Sequence, residues 1–171
     1  MEHPYISSLS SIVWLQQRDP APGPMISDWL MEKGSMTRRL EQFCGKIIIH
    51  RIGEGFVTAA SIDAGERKEL PACERCWLRQ VVIYGDNRPW VAARTIIPET
   101  SLTGEQGALA DAGDEPIGRR LFTEEPLLRD YIHIGRLDQL WARRSRLRPG
   151  GKPLLLTELF LPDAPLYQHG R

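Results

Sequence analysis

Between Gly151 and Pro162 the chain reads GKPLLLTELFLP, a run whose only charges are Lys152 and Glu158. Short, apolar, opened by Gly150 and Gly151 and closed by Pro162, it predicts a buried strand. Strand side chains alternate, so Leu154, Leu156, Glu158 and Phe160 face one way and Leu155, Thr157 and Leu159 the other. Glu158 then shares its face with three large apolar residues. An ionised carboxylate there costs roughly several kcal/mol unless a cation or hydrogen-bond donor meets it. The preceding segment supplies one such partner. WARRSRLR, a Gly-Gly turn and LLLTELF predict a hairpin that sets Leu147 against Leu154 and Arg143 against Glu158; a one-residue slip brings Arg144 there instead. The second answer is a polar group on a bound ligand, and the pattern does not rank the two.

The rest of the composition narrows the partners. The 171 residues, 42% hydrophobic and 26% charged, suit one domain spanning residues 1–171. Twenty-two basic residues balance twenty-two acidic ones, which removes the electrostatic case for nucleic acid or an anionic membrane as the main partner. The N-terminal residues carry no uninterrupted apolar core of signal-peptide length and no run spans a bilayer, so a cytoplasmic protein is expected. Three cysteines fit reduced thiols in that compartment. Cys73 and Cys76 form a C-x-x-C pair, but no second pair follows at finger spacing, and the pair leads into a strand; neither metal nor redox chemistry is expected of it.

In chain order, Ser27 is placed to cap a helix DWLMEK, and Ser35 to cap a second, MTRRLEQFC, whose first N–H groups, beginning at Met36, suit a carboxylate. KIIIHRI and FVTAASI predict strands separated by a bend or bulge at Gly53 and Gly55. A charged loop, residues 63–74, precedes a hairpin of WLRQVVIY and PWVAARTIIP turning at Asp86 and Asn87. With Tyr84 opposite Pro89, Arg79 faces Arg94, and two guanidiniums on one face either call for an anion beside them or splay into solvent. Thr103 and Gln106 form a capping box for one further helix, and Pro116 opens another that leaves the Ile117 N–H without an intrahelical partner. LLRDYIHIG predicts a strand with Tyr131 and His133 on one face, Ile132 and Ile134 on the other.

These segments, DWLMEKGSMTRR, GEGFV, WLRQVVIYGDNRPWVAARTIIP, PIGRRLF, RDYIHIGR and WARRSRLRPGGKPLLLTELFLPDAPLY, together resemble the bacterial chorismate pyruvate-lyase family over nearly the whole chain. The resemblance implies an α+β single domain, a mainly antiparallel sheet of about six strands with helical flaps over a buried ligand pocket. It implies a cofactor-free, monomeric enzyme that forms 4-hydroxybenzoate and pyruvate from chorismate, toward ubiquinone. It further implies that Arg79 and the main-chain N–H groups of Met36 and Ile117 hold the ring carboxylate, while Glu158 meets the ring hydroxyl. Arg79 and Glu158 are the expected catalytic residues, and Arg94 is the candidate for the enolpyruvyl carboxylate. Departures from the family pattern are Cys73, Cys76 and Ala93, the last where glycine is expected. The fold also resembles effector-binding domains of bacterial transcription regulators, so a non-catalytic binding module is the rival reading.

Overall fold

The computed structural model describes residues 3–102 and 128–168. Seven strands form one antiparallel sheet: β1 (Val13–Trp14), β2 (Ile47–Thr58), β3 (Arg75–Gly85), β4 (Arg88–Pro98), β5 (Leu128–Leu137), β6 (Leu140–Arg148) and β7 (Leu154–Phe160), in the order β1-β5-β6-β7-β4-β3-β2. The α+β architecture expected from the sequence is present. The strand beyond about six is β1, two residues long and paired with the end of β5. β7 lies at the centre, and all seven of its residues are buried, which is why its sequence is apolar on both faces.

Short helices cover the sheet on both sides: α1 (Pro4–Ser7), α2 (Pro24–Leu30), α3 (Met36–Glu41) and α4 (Ala64–Arg67). Trp29 and Leu30 of α2 and Met36 and Leu40 of α3 pack on the face formed by Val81, Ile83, Val91, Ala93, Leu147, Leu154, Leu156 and Phe160. We call this the flap face. Burying such side chains is worth about 1.5–3 kcal/mol each, enough to hold two helices too short to persist alone. The opposite, or rear, face is covered by Ile6, Leu9 and Ile12 over Val82, Ala92, Ala142 and Leu159, with Ile62 over Cys76, Ile96 and Leu155.

Local chemistry explains most boundaries. The Ser35 hydroxyl accepts from the Arg38 N–H at 3.3 Å and so starts α3 where expected. α2 begins three residues before Ser27, at Pro24 with Gly23 as its cap, because Pro suits the first helical turn; the Ser27 hydroxyl instead donates to the Pro22 carbonyl. The two strands expected around Gly53 are one, β2, with a bulge between Arg51 and Gly53. The charged loop contains α4, whose Glu66 carboxylate accepts from the Asp63 N–H at 3.1 Å, one half of a capping box. The helices expected after Thr103 and Pro116 lie outside the described residues, as do Ile117 and the chain end after Gln168.

Two hairpins set the site, and only one has the expected register. Gly150 and Gly151, both at positive φ, turn the chain between β6 and β7 and leave Leu147 opposite Leu154 and Arg143 opposite Glu158. Between β3 and β4, Asp86 and Asn87 turn at positive φ as expected, and Tyr84 faces Pro89. Ile83 then faces Val91, so Trp90 is an extra residue on β4. Its ring packs over Gly85, where a Cβ would collide with it. From that point the register is displaced by one: Arg79 faces Thr95, and Arg94 faces Gln80. The expected cross-strand pair of Arg79 and Arg94 does not form, because a one-residue shift turns the two side chains to opposite faces.

Candidate functional site

Arg79 and Glu158 share the flap face. Arg79 on β3 is opposite Thr95, which is opposite Leu156 on β7, and Glu158 is the next residue of β7 on that face. Two strand spacings and one two-residue step separate their Cα atoms by about 12 Å. Ala93, Thr95 and Leu156 lie between them on the same face, while Arg79 reaches to Glu54 on β2 and Glu158 to Arg143 on β6. Met36, at the first position of α3, is buried in the same cluster as Ala93 and Leu156, so the N-terminus of α3 lies over this face.

The charges are buried and arranged by neighbours. Arg79 is 2% exposed, and its Nη1 reaches both carboxylate oxygens of Glu54 on β2 at 3.3 Å. That distance is long for a charge-assisted bond, which runs nearer 2.8 Å. Glu158 is 4% exposed and accepts from Arg143 Nε at 2.7 Å. Arg143 Nη1 also donates to the carbonyls of Leu30 at 3.1 Å and Glu32 at 2.7 Å, where α2 ends. One guanidinium thus ties the buried carboxylate to the C-terminus of a flap helix.

A further guanidinium stands beside this pair. Arg129 at the start of β5 donates from Nη1 to Ser145 Oγ at 2.5 Å and from Nη2 to the Lys33 carbonyl at 3.4 Å. Burial and the neighbouring charge of Arg143 pull it down to about 10, partly offset by Glu158 and Glu32, so it stays cationic at neutral pH. Its sequence signal was the RD step opening the strand, which carries no pattern distinguishing it from a surface charge. Glu54 was equally hidden, since a glutamate between two glycines at a bulge reads as solvated.

Arg94 is not part of this constellation. It points to the rear face, where Nε donates to Glu66 Oε2 at 2.8 Å, Nη2 to Glu66 Oε1 at 3.1 Å and Nη1 to Gln80 Oε1 at 2.8 Å. A cavity of about 250 Å³ on that side is lined by Arg94, Arg144, Glu66, Gln80 and Thr157. The sheet separates it from Glu158, which corrects the expectation that Arg94 joins Arg79 at one ligand. Cys73 and Cys76 also lie toward the rear, their sulfurs 3.4 Å apart as free thiols. Among the described residues no group of three or more His, Cys, Asp or Glu side chains is placed to hold a metal ion, and no helix is long and apolar enough to cross a membrane.

Comparison with known proteins joins this geometry to a family. Solved structures alike in fold are the C-terminal domain of the histidine utilization repressor from Pseudomonas syringae pv. tomato and the possible transcriptional regulator YydK from Bacillus subtilis. The first has a TM-score of 0.50 at 14% identity, covering 69% of this chain and 92% of that one. The second has a TM-score of 0.54 at 10% identity, covering 98% and 76%. At such identities the likeness is of fold alone. In sequence, the chain is 54% identical over 164 residues to the chorismate pyruvate-lyase of Serratia proteamaculans, covering 96% of this chain and 94% of that protein. It is 50% identical to the chorismate pyruvate-lyase of Pectobacterium atrosepticum, covering 93% and 89%. It is 52% identical to the probable chorismate pyruvate-lyase of Bartonella henselae, covering 98% and 97%. The family described as chorismate lyase matches residues 8–171, and the chain belongs to that family.

Proposed function

We propose that this protein eliminates pyruvate from chorismate to give 4-hydroxybenzoate, the aromatic precursor of ubiquinone, and that Arg79 and Glu158 hold the two ends of the ring. The observation that carries the reading is the burial of these two residues, opposite in charge, on one face of the sheet. Arg79 pairs with the ring carboxylate, joined by the N–H of Met36 at the start of α3 and by that of Ile117. Glu158 accepts a hydrogen bond from the C4 hydroxyl.

The chemistry asks little of the protein beyond this hold. The bond from C3 to the ether oxygen breaks with its electron pair on oxygen, C4 loses its proton, and the ring becomes aromatic. The departing enolate takes a proton at its methylene carbon and leaves as pyruvate. Aromatisation supplies the driving force, so the site contributes one fixed conformer, exclusion of water and stabilisation of charge on the departing group. Glu158 also stands where the C4 proton is lost.

No cofactor has a role in this scheme. We read the enzyme as cytoplasmic and monomeric: its thiols are free, and both faces of the sheet are covered by its own helices. The test is to mix the purified protein with chorismate, without added metal, and follow 4-hydroxybenzoate by absorbance and pyruvate by a coupled assay. Equal amounts of both products are expected. Tight binding of 4-hydroxybenzoate with no turnover would instead favour a sensor built on the same fold.

A further inference from the structure

Cys73 and Cys76 have no part in the reaction proposed above, and their placement gives them chemistry of their own. Cys76 is the second residue of β3, paired with Val57 on β2 and Pro98 on β4. It is 1% exposed, among Ile62, Ile96 and Leu155 on the rear face. Cys73 is half-buried in the irregular segment between α4 and β3, with the exposed residues Ala72 and Glu74 on either side. The strand that follows the pair argues against redox chemistry in the sequence. In the fold, the same strand fixes Cys76 within reach of Cys73.

The two Sγ atoms are 3.4 Å apart. A disulfide bond is about 2.0 Å long, so an approach of about 1.4 Å joins them. Cys76 is held by pairing on both sides, whereas Cys73 belongs to no helix or strand and is the member that moves. A cavity of about 250 Å³ lies against the pair, lined by Ala59, Ile62, Arg67, Leu70 and the two cysteines. The Arg67 guanidinium, which donates to the Ile62 carbonyl at 2.7 Å, puts a fixed cation on the cavity wall and favours an anionic reactant there. Among the described residues no third His, Cys, Asp or Glu joins the pair to hold a metal ion.

We propose that Cys73 and Cys76 form a reversible disulfide by exchange with the disulfide of a small anionic thiol, at a modification site separate from Arg79 and Glu158. The reachable Cys73 sulfur, as thiolate, attacks one sulfur of the small disulfide. That S–S bond breaks, and the first small thiolate leaves and takes up the proton that Cys73 gave. The Cys76 sulfur then loses its proton and attacks Cys73 Sγ, and the second small thiolate leaves with that proton. The two protein thiols are oxidised by two electrons, the small disulfide is reduced to two thiols, and excess small thiol reverses both steps. Burial of Cys76 raises its thiol and keeps it from reacting first. The new bond ties to β3 the segment that carries Glu69, the acceptor of the Tyr131 hydroxyl at 2.6 Å.

The test equilibrates the reduced full-length protein with glutathione disulfide and glutathione at rising ratio, then quenches with acid and N-ethylmaleimide. Tryptic cleavage after Lys68, Arg75 and Arg79 puts the two cysteines on separate peptides, so their disulfide appears in mass spectrometry as one cross-linked pair. That pair should be the main oxidised species. It should form at a ratio about tenfold or more below the one that modifies half of Cys44, because its second step is intramolecular, and dithiothreitol should remove it. Cys76→Ala should stop at the mixed disulfide of Cys73 with glutathione. Cys73→Ser, at the more exposed position and so the safer variant for folding, should leave Cys76 unmodified. A wild-type protein whose Cys73 accumulates as the mixed disulfide, or whose pair stays reduced when Cys44 is modified, overturns the proposal. So does a Cys76 that reacts in Cys73→Ser.

Discussion

Removing Arg143 should unlock the buried end of the site, and the size of the effect follows from its three bonds. Arg143 is 1% exposed and holds Glu158, the Leu30 carbonyl and the Glu32 carbonyl. In Arg143→Met the side-chain volume is roughly kept, but Glu158 is left as a buried charge without its counter-ion, which costs about 3–5 kcal/mol. Glu158→Leu alone leaves the converse, a buried guanidinium, at about the same cost. In the double variant neither charge remains, and only the two carbonyls lose a donor, about 1 kcal/mol each. The double variant should therefore be more stable than either single one, with a total loss of about 2 kcal/mol against a sum of singles of about 6–10 kcal/mol. Urea unfolding of the four proteins, followed by Trp fluorescence, measures the cycle. A cost for Arg143→Met below about 1 kcal/mol, or singles that add to the double, would refute a dry, paired interior at this position.

Two further outcomes follow from other parts of the sheet. Asp130 accepts from Arg146 Nε at 2.6 Å and Arg148 Nε at 2.8 Å; slight burial pushes its carboxyl up, but the two guanidiniums win and hold it below the ordinary 3.8. A depressed carboxyl stabilises the fold above its unfolded value and loses that contribution as pH falls through the folded value, so Asp130→Asn should cost up to about 1 kcal/mol at pH 7 and nothing measurable near pH 2. Thermal unfolding against pH, at low and high salt, checks it. The Cys76 thiol is buried and pushed up to about 12 by that burial and by its contact with Cys73, so iodoacetamide at pH 8 should label Cys73 well before Cys76, as peptide mass spectrometry would reveal.

Legibility in the sequence followed turn geometry. The β6–β7 hairpin was readable because Gly150 and Gly151 fix the turn and no bulge intervenes, so counting outward from them reaches Arg143 and Glu158 correctly. The β3–β4 hairpin has an equally clear turn, yet Trp90 inserts where its ring covers Gly85, and counting past that point reverses every side chain. That single residue is why Arg94 appeared to belong with Arg79. A bulge is a packing event between a large ring and a glycine on the neighbouring strand, and alternation in one strand does not record it. α4 was legible in principle, since Asp63 and Glu66 stand at capping-box spacing, but without a long apolar face behind them the segment reads as a charged loop. The partners Glu54, Arg143 and Arg129 are brought to the site by pairing across six strands, from β2 to β5 in sheet order. Of these only Arg143, one turn away in sequence, was within reach of local reasoning.

The central claim is that Arg79 and Glu158 hold opposite ends of one aromatic acid, and pairing two ligands with two variants tests it most directly. Wild type, Arg79→Met and Glu158→Gln are titrated with 4-hydroxybenzoate and with benzoate, which lacks the hydroxyl. Loss of a charge-assisted contact of about 1.5–3 kcal/mol predicts that Arg79→Met weakens both acids by about 10- to 150-fold. Glu158→Gln should weaken 4-hydroxybenzoate several-fold more than benzoate. Wild-type affinity in Arg79→Met, or an equal loss of both acids in Glu158→Gln, would contradict the claim.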